Sequence, residues 1–114
     1  VRLEYGDFNA LFTGDIGFET EKRIMNDIAV LNCDLLKVAH HGSKYSSDKE
    51  FLANIDPSLA VISVGRNTYG HPDPETLDRL SSQGARILKT IESGGILVEV
   101  WENYDKMRIT TVVK

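Results

Sequence analysis

Apolar and polar residues follow strand-like patterns in several parts of the chain. Residues 1–5 alternate, residues 8–13 are mostly apolar, and the turn-forming pair Gly6-Asp7 between them predicts a β-hairpin. An apolar segment at 35–39 predicts a third strand, and the near-continuous apolar residues 59–64 are typical of a strand covered on both faces. Further strands are predicted at 86–89, 95–101 and 107–113, joined by turns at 93–95 and 103–105.

Three segments between these strands have the spacing or the end signals of helices. Apolar residues recur at helical spacing over 19–31, so the first helix is expected there. Ser47 opens a Ser-x-x-Glu capping box, which predicts Ser47 as the N-cap of a second helix that Pro57 ends. Asp73 as N-cap and Pro74 at the first helical position predict a third helix.

The predicted order is two strands, three alternations of strand and helix, and a closing series of strands. Such an order builds a mixed sheet with helices packed on it, so the predicted fold class is α/β, or α+β. The sequence contains no repeat, low-complexity tract or internal linker, and residues 1–114 are interpreted as a single domain or one part of a domain. Because the first residue is valine, we expect the chain to be a piece of a longer protein.

Composition and charge narrow the possible functions. The chain has 114 residues, is 41% hydrophobic and carries a formal net charge of −4, so it can form one core but has no general attraction for nucleic acid. The sequence shows no secretory signal pattern and no apolar segment long enough to span a bilayer. The single cysteine, Cys33, excludes an intramolecular disulfide and is expected to be a small buried side chain rather than a nucleophile.

Candidate chemistry is concentrated where three predicted strands end. Asp15 follows the second strand, and His71 lies in the loop after the fourth. His40 and His41 follow the third. Because ligands collect outside the carboxyl ends of strands in α/β sheets, we expect these side chains to approach one another. A carboxylate and two or three imidazoles are a ligand set for Zn²⁺ or a similar ion such as Mn²⁺.

The histidine pair raises a question of geometry. Adjacent residues on an extended segment point to opposite sides, so His40 and His41 cannot both face one spot on a regular strand. A turn that begins at Gly42 would relax this limit, so that one histidine meets a metal and the other serves as a second ligand, an orienting group or a substrate contact. The alternative is a surface pair in a loop.

The other candidates also have plainer interpretations, which the sequence leaves open. Asp15 could simply cap the helix that follows it, and His71 could be a loop residue that packs on Tyr69. For Ser43 a role in a turn or in supporting the site is favoured over a role as nucleophile, because no partner base is identifiable from spacing.

Three segments of the chain resemble a known group of proteins. They are residues 12–15 (Phe-Thr-Gly-Asp), residues 34–43, which end in His-His-Gly-Ser, and residues 63–72, which end in Tyr-Gly-His-Pro. In this order they are similar to the C-terminal half of a metallo-β-lactamase-fold hydrolase, and most of all to the soluble domain of ComEC-type DNA-internalisation competence proteins and their stand-alone relatives. The resemblance covers essentially the whole chain and implies one half of an αββα sandwich.

The resemblance also implies roles for the residues at the strand ends. Asp15 matches an aspartate that bridges two metal ions, Zn²⁺ or Mn²⁺, and one histidine of the pair matches a terminal ligand, with His41 favoured over His40. His71 is implied to contact substrate or transfer a proton, so Asp15 and His71 are the expected catalytic residues. The His-x-His-x-Asp-His signature that supplies most ligands in that group is absent from this chain. The isolated piece is therefore expected to be inactive.

Two functions from different classes remain. The first is part of a metal-dependent hydrolase of the phosphodiesterase or nuclease kind, with a phosphoester or nucleic-acid substrate and with the missing N-terminal half of the domain as partner. The second is a non-catalytic assembly or binding module derived from that fold, which the missing signature and the acidic charge favour. A half-sandwich exposes the face meant for its other sheet, so self-association, for example as a homodimer, is expected. Localisation stays open, with a soluble domain of a bacterial membrane protein as one option.

Overall fold

The computed structural model describes residues 1–26, 32–101 and 107–113 of the chain. Within these ranges strands and helices follow one another in the predicted order, with an additional short helix after the fifth strand. The strands are β1 (Arg2–Tyr5), β2 (Phe8–Phe12), β3 (Leu35–Lys37), β4 (Leu59–Ile62), β5 (Arg86–Lys89), β6 (Ile96–Val100) and β7 (Met107–Thr111). The helices are α1 (Phe18–Met25), α2 (Lys49–Ile55), α3 (Pro74–Ser82) and α4 (Thr90–Ser93).

In the described part of the chain, β1 to β5 form a mixed sheet in the order β1-β2-β3-β4-β5. β1 and β2 are the antiparallel hairpin predicted around Gly6-Asp7, with Tyr5 opposite Phe8, and the other neighbouring strands are parallel. β6 and β7 form a separate antiparallel hairpin. The predicted α/β class, a mixed sheet with helices, is confirmed. The specific αββα sandwich stays a prediction.

The parallel strands end together at one edge of the sheet, here called the carboxyl edge. Phe12, the last residue of β2, is in register with Lys37, the last residue of β3, and Lys37 is in register with Val61 of β4. The loops that follow β2, β3 and β4 therefore leave the sheet side by side, and these loops contain the candidate site residues.

α1, α2 and α3 pack on one face of the sheet, here called the helix face. Strand residues such as Leu36 and Ile62 form one apolar cluster with Phe51 and Ile55 of α2 and Leu80 of α3, and each is at most 1% exposed. Full burial of an aliphatic or aromatic side chain of this size contributes about 1.5–3 kcal/mol to stability. This cluster is the core of the described chain, and it fixes the loops at the carboxyl edge.

The opposite face of the sheet, here called the groove face, is apolar but only partly covered. A groove of about 410 Å³ lies between this face and the β6–β7 hairpin. Successive residues of a strand point to opposite sides of the sheet, so the residues of these strands that line the groove alternate with those that point to the helix face. The groove is lined by Leu3, Tyr5, Phe8, Ala10, Phe12, Leu35, Lys37, Val61, Ile96, Val98 and Val100.

The predicted N-cap of the second helix is wrong by one residue. Asp48 is the cap of α2, and its carboxylate accepts the backbone N–H of Glu50. Ser47 has a φ of +61° and donates its backbone N–H to the carboxylate of Glu21. Because the buried Glu21 binds the N–H groups at this point, the chain turns there and the helix begins one residue later than the capping box predicted.

Two strands are shorter than predicted: the third ends at Lys37 rather than at residue 39, and the fourth ends at Ile62 rather than at residue 64. Asp73 caps α3 through the N–H of Glu75, with Pro74 as the first helical residue, as predicted. The second half of the predicted first helix, 27–31, and the predicted turn at 103–105 lie outside the described residues.

Two further sequence predictions concern burial and the membrane. Cys33 is buried, as predicted, and burial raises the pKa of its thiol to about 11. A thiol with such a pKa is protonated at neutral pH and is a poor nucleophile. Of the helices in the described ranges, none combines the length and the apolar character needed to cross a bilayer.

Candidate functional site

β3 leads into a tight turn, Ala39–Gly42, that carries the histidine pair. His40 (φ 50°, ψ 45°) and His41 (φ 54°, ψ 27°) both adopt left-handed helical conformations, which are uncommon for residues other than glycine. The alternation of the strand is therefore lost, and the two imidazole rings lie with their centroids 6.4 Å apart. The turn begins at Ala39 rather than at Gly42, where the sequence had suggested it.

The loop that carries His71 is docked against this turn. Gly42 has a φ of +84°, and a Cβ added to it would lie 2.7 Å from the Cβ of Pro72. The carbonyl of Gly42 accepts the N–H of Asp73 at 2.9 Å. The close approach holds two loops from different strands together, so the rings of His40 and His71 lie 5.5 Å apart between centroids.

Asp15 reaches the carboxyl edge next to the histidine pair. Its neighbour Gly14 accepts the backbone N–H of His40 at 2.8 Å, and this bond ties the loop after β2 to the turn after β3. Asp15 is exposed, and the residue at the N-cap of α1 is Gly17, where no side chain caps the helix. The plainer interpretation of Asp15 as a helix cap is therefore wrong.

The imidazole of His41 is oriented by a backbone contact. Its Nδ1 lies 2.6 Å from the carbonyl oxygen of Ser63, at the end of β4. Because a carbonyl only accepts hydrogen bonds, Nδ1 donates in this contact, and in a neutral imidazole this leaves the lone pair on Nε2. Histidines that bind metals commonly donate their other ring nitrogen to a carbonyl or carboxylate in this way. This arrangement suits His41 to bind a cation through Nε2.

His71 has both of the contacts that the sequence offered as alternatives. Its ring stacks on Tyr69, with centroids 5.8 Å apart and an angle of 23° between the planes, and it also faces His40. The loop is fixed by Asn67, whose side-chain oxygen accepts the N–H groups of Tyr69 and His71. The side-chain nitrogen of Asn67 donates to the carbonyls of His71 and Gly65.

The segment 43–48, between the histidine turn and α2, is held by a buried acid that the sequence analysis missed. Glu21 of α1 is fully buried, and its two oxygens accept the N–H groups of Ser47 at 2.5 Å and Asp48 at 2.9 Å. Burial raises the pKa of the Glu21 carboxyl, although the two N–H bonds and the charge of Arg79 act in the opposite direction. Its spacing was a usable signal, because Glu21 shares one helical side with Ile24.

Arg79 of α3 holds the same segment from the other side. Its guanidinium donates hydrogen bonds to several carbonyls along the segment, and Thr76 Oγ1, which it also contacts, donates to the carbonyl of Ser43 at 2.9 Å. The oxygen of the Ser43 side chain accepts the N–H of Tyr45, so the predicted turn role of Ser43 is confirmed. The carbonyls bound by Arg79 belong to Lys44, Ser46 and Ser47.

The described residues do not form a complete metal site. Within 1–26, 32–101 and 107–113, no three side chains of His, Cys, Asp or Glu are grouped so that they could hold a metal ion. A catalytic zinc usually needs three protein ligands. Zn²⁺ or Mn²⁺ bound by Asp15, His41 and His40 therefore stays a prediction.

The chain is similar to several proteins named for competence or recombination. It is 39% identical over 95 residues to ComE operon protein 3 of Bacillus subtilis (strain 168), which covers 82% of this chain and 12% of the relative. It is 33% identical over 98 residues to competence protein ComA of Neisseria gonorrhoeae, covering 84% and 14%. It is 29% identical over 104 residues to recombination protein 2 of Haemophilus influenzae, covering 90% and 13%. No family model matches the chain.

These similarities support the competence part of the resemblance found in the sequence. The chain spans between 12% and 14% of the length of these relatives, so it corresponds to one segment of much longer proteins. The names of these relatives refer neither to a metallo-β-lactamase fold nor to a metal. Those finer assignments are proposals.

Proposed function

We propose that this chain is one part of a metal-dependent hydrolase domain, of the phosphodiesterase or nuclease kind, in a longer competence protein of the DNA-uptake type. The observation that carries the proposal is the meeting of three loops at the carboxyl edge, where Gly14 binds His40 and the ring of His40 faces that of His71. The similarity to relatives named for competence and recombination supports nucleic acid as the substrate class.

The proposed roles follow from the contacts of each side chain. His41 is a metal ligand through Nε2, because its Nδ1–H is bound to the carbonyl of Ser63. Asp15 is the second ligand in this chain, since it is exposed and directly follows Gly14, whose carbonyl accepts the N–H of His40. His40 and His71 contact the substrate or transfer a proton, with His40 as the alternative ligand.

The remaining ligands are proposed to come from another segment of the longer protein. The described side chains contain no group of three that could hold a metal, so the site needs such a contribution. This segment is proposed to pack on the groove face, because apolar side chains of that face, such as Leu3 and Phe12, are half exposed. A bacterial membrane protein, with this domain outside the bilayer, is the proposed context.

Hydrolysis by the longer parent protein tests the proposal. Loaded with Mn²⁺ or Zn²⁺, it is expected to cleave an oligonucleotide or a simple phosphodiester. Asp15→Ala should lower the rate by at least about 10–100-fold, which is the loss seen when only a supporting partner of a metal ligand is removed. Asp7→Ala is the matched control, because Asp7 is an exposed carboxylate in the β1–β2 turn at the opposite end of the sheet. Equal rates for Asp15→Ala and the unmodified protein would contradict the proposal.

A non-catalytic assembly or binding module is the second candidate. It is favoured by the absence of a three-residue metal group among the described residues and by the net charge of −4. Metal analysis separates the two candidates: the longer protein should retain bound metal after purification without chelator, and its Asp15→Ala variant should lose it. If the unmodified longer protein retains no metal and cleaves no phosphoester, the module is the better description.

A further inference from the structure

Tyr69 is an exposed aromatic ring at the candidate site. It is 82% exposed, the highest value among the large aromatic side chains of the described residues. Single exposed apolar residues are common on protein surfaces and need no functional reason. Tyr69 differs from such residues in two respects: its loop is held by hydrogen bonds, and its ring is nearly parallel to that of His71.

The loop that carries Tyr69 is fixed before any ligand arrives. One oxygen of Asn67 accepts the N–H of Tyr69 at 3.0 Å and the N–H of His71 at 3.1 Å. The amide nitrogen of Asn67 donates to His71 O at 2.8 Å and to Gly65 O at 3.0 Å. Because the backbone is already ordered, a ligand that stacks on Tyr69 pays little additional ordering cost.

The ring of Tyr69 continues a row of rings that crosses the site. The planes of Tyr69 and His71 differ by 23°. The next two pairs are tilted: the centroids of His71 and His40 lie 5.5 Å apart with 59° between the planes, and those of His40 and His41 lie 6.4 Å apart with 62°. The centroids of the Tyr69 and His71 rings lie 5.8 Å apart. The high exposure of Tyr69 means that most of its ring faces solvent, so a flat ligand ring can stack there.

The charges around the row favour stacking over simple electrostatic attraction. Lys44 and Arg66 are exposed on the two loops that frame the row, and they can contact a phosphate backbone. Asp15 is exposed at the same edge, Asp73 is half-buried, and the chain as a whole carries a net charge of −4. Binding by charge alone is therefore weak, and a base stacked on an aromatic ring would add about 1–3 kcal/mol to it.

We propose that Tyr69 is a stacking platform for an unpaired base of single-stranded nucleic acid, which sets the strand in line with His71 and His40. This inference rests on the proposed function and names its preferred substrate form. The bases of an intact duplex are stacked on each other and are not available to Tyr69, so a duplex is expected to bind more weakly.

Binding without chemistry tests this inference. The full 114-residue chain is titrated in EDTA with a 12-nucleotide oligothymidylate and with a blunt duplex of the same length, and binding is followed by NMR of the His71 and Tyr69 rings. The oligothymidylate is expected to bind more tightly than the duplex. Tyr69→Ala should weaken the binding of the single strand by about tenfold, as expected for loss of one stacked base, and Tyr69→Phe should retain it.

Two controls make the result specific. Tyr5→Ala removes a tyrosine that is 47% exposed at the opposite end of the sheet, and it should bind like the unmodified chain. Urea unfolding of Tyr69→Ala should match that of the unmodified chain. Equal affinity of Tyr69→Ala and the unmodified chain, equal affinity for duplex and single strand, or no binding at all would overturn the inference. Because these measurements need no metal, such a result would not contradict the hydrolase proposal, which is tested separately by the cleavage assay.

Discussion

The two faces of the five-stranded sheet differ in how completely the described chain covers them. On the helix face Leu36 is 1% exposed and Ile62 is fully buried. On the groove face Leu3 is 51% exposed and Phe12 is 42% exposed, although both are apolar and line the groove. The faces are made by alternate residues of the same strands, so Leu35 is half-buried beside the buried Leu36.

This difference separates the face of the sheet that stabilises the fold from the face that is proposed to bind a partner. The helix face forms a buried apolar core. Glu21 and Arg79 connect the helices of this core to the segment after the histidine turn by hydrogen bonds to its backbone. The groove face has the exposed apolar area that usually marks an interaction surface. The candidate site lies at the edge between the two faces. Its loops depend on the helix face for stability, and its completion is proposed to depend on the groove face.

Neighbouring leucines on the two faces give the sharpest test of this comparison. Leu36→Ala should lower the free energy of unfolding by about 2–5 kcal/mol, because it leaves a cavity in the core. Leu35→Ala should lower it by about 1 kcal/mol or less, because Leu35 is already partly hydrated in the isolated chain. Urea unfolding of the 114-residue chain measures both values. Similar losses for the two variants would show that the groove face is as well packed as the helix face.

Alanine substitutions at two glycines of the carboxyl edge distinguish the cost of disturbing the loop contact from the cost of backbone strain. Gly70 has a φ of +81° and no atom within 4 Å of an added Cβ, so Gly70→Ala should cost only the strain of a left-handed residue, about 1–2 kcal/mol. In Gly42→Ala the added Cβ also meets Pro72, which should add about 1–3 kcal/mol. Thermal or urea unfolding compares them. Equal costs would mean that the contact between the two loops is not tight.

Glu21 gives a pH-dependent test of the helix face. Because burial raises its pKa above the ordinary value of 4.5, the folded chain holds this proton more tightly than the unfolded chain does. The stability from this group is full below about pH 4.5 and is lost as the pH rises through the folded pKa. The unfolding free energy of the unmodified chain, relative to Glu21→Gln, should therefore fall as the pH rises from 4 to 7.

Glu21→Gln should also lower the free energy of unfolding through a lost hydrogen bond. A Gln amide offers one acceptor to the two N–H groups of Ser47 and Asp48, so one of them loses its partner at a cost of about 1–3 kcal/mol. Glu19→Gln is the matched control, because Glu19 is an exposed residue of the same helix. If the difference in unfolding free energy between the unmodified chain and Glu21→Gln does not change with pH, burial does not raise the pKa of Glu21.

Association of the isolated chain is the smallest expected effect. The partly covered groove face should cause weak self-association, and Phe12→Ser should reduce it with little loss of stability, because Phe12 is 42% exposed at the groove. Leu97→Ser is the control, since Leu97 is 56% exposed but does not line the groove. Light scattering over a concentration series measures the change. A monodisperse monomer at all concentrations would contradict the predicted self-association.

Much of the fold followed from local patterns in the sequence. The β1–β2 hairpin at Gly6-Asp7, the buried strand β4 and the start of α3 at Asp73 were all predicted. Each depends on the order of apolar residues and on turn or cap residues within a few positions, which act through nearby backbone. The Ser47 cap failed because a contact with a distant residue, Glu21, decided where the helix begins.

For the site, the sequence determined which residues lie at the carboxyl edge, because the residue after each parallel strand is fixed by the strand pattern. Only the tertiary structure decided their mutual geometry. The bond between His40 and Gly14, the docking of Pro72 on Gly42 and the orientation of His41 by Ser63 all join residues from different strands or loops. Such contacts depend on how the chain packs, and no local pattern of apolar and polar residues encodes them.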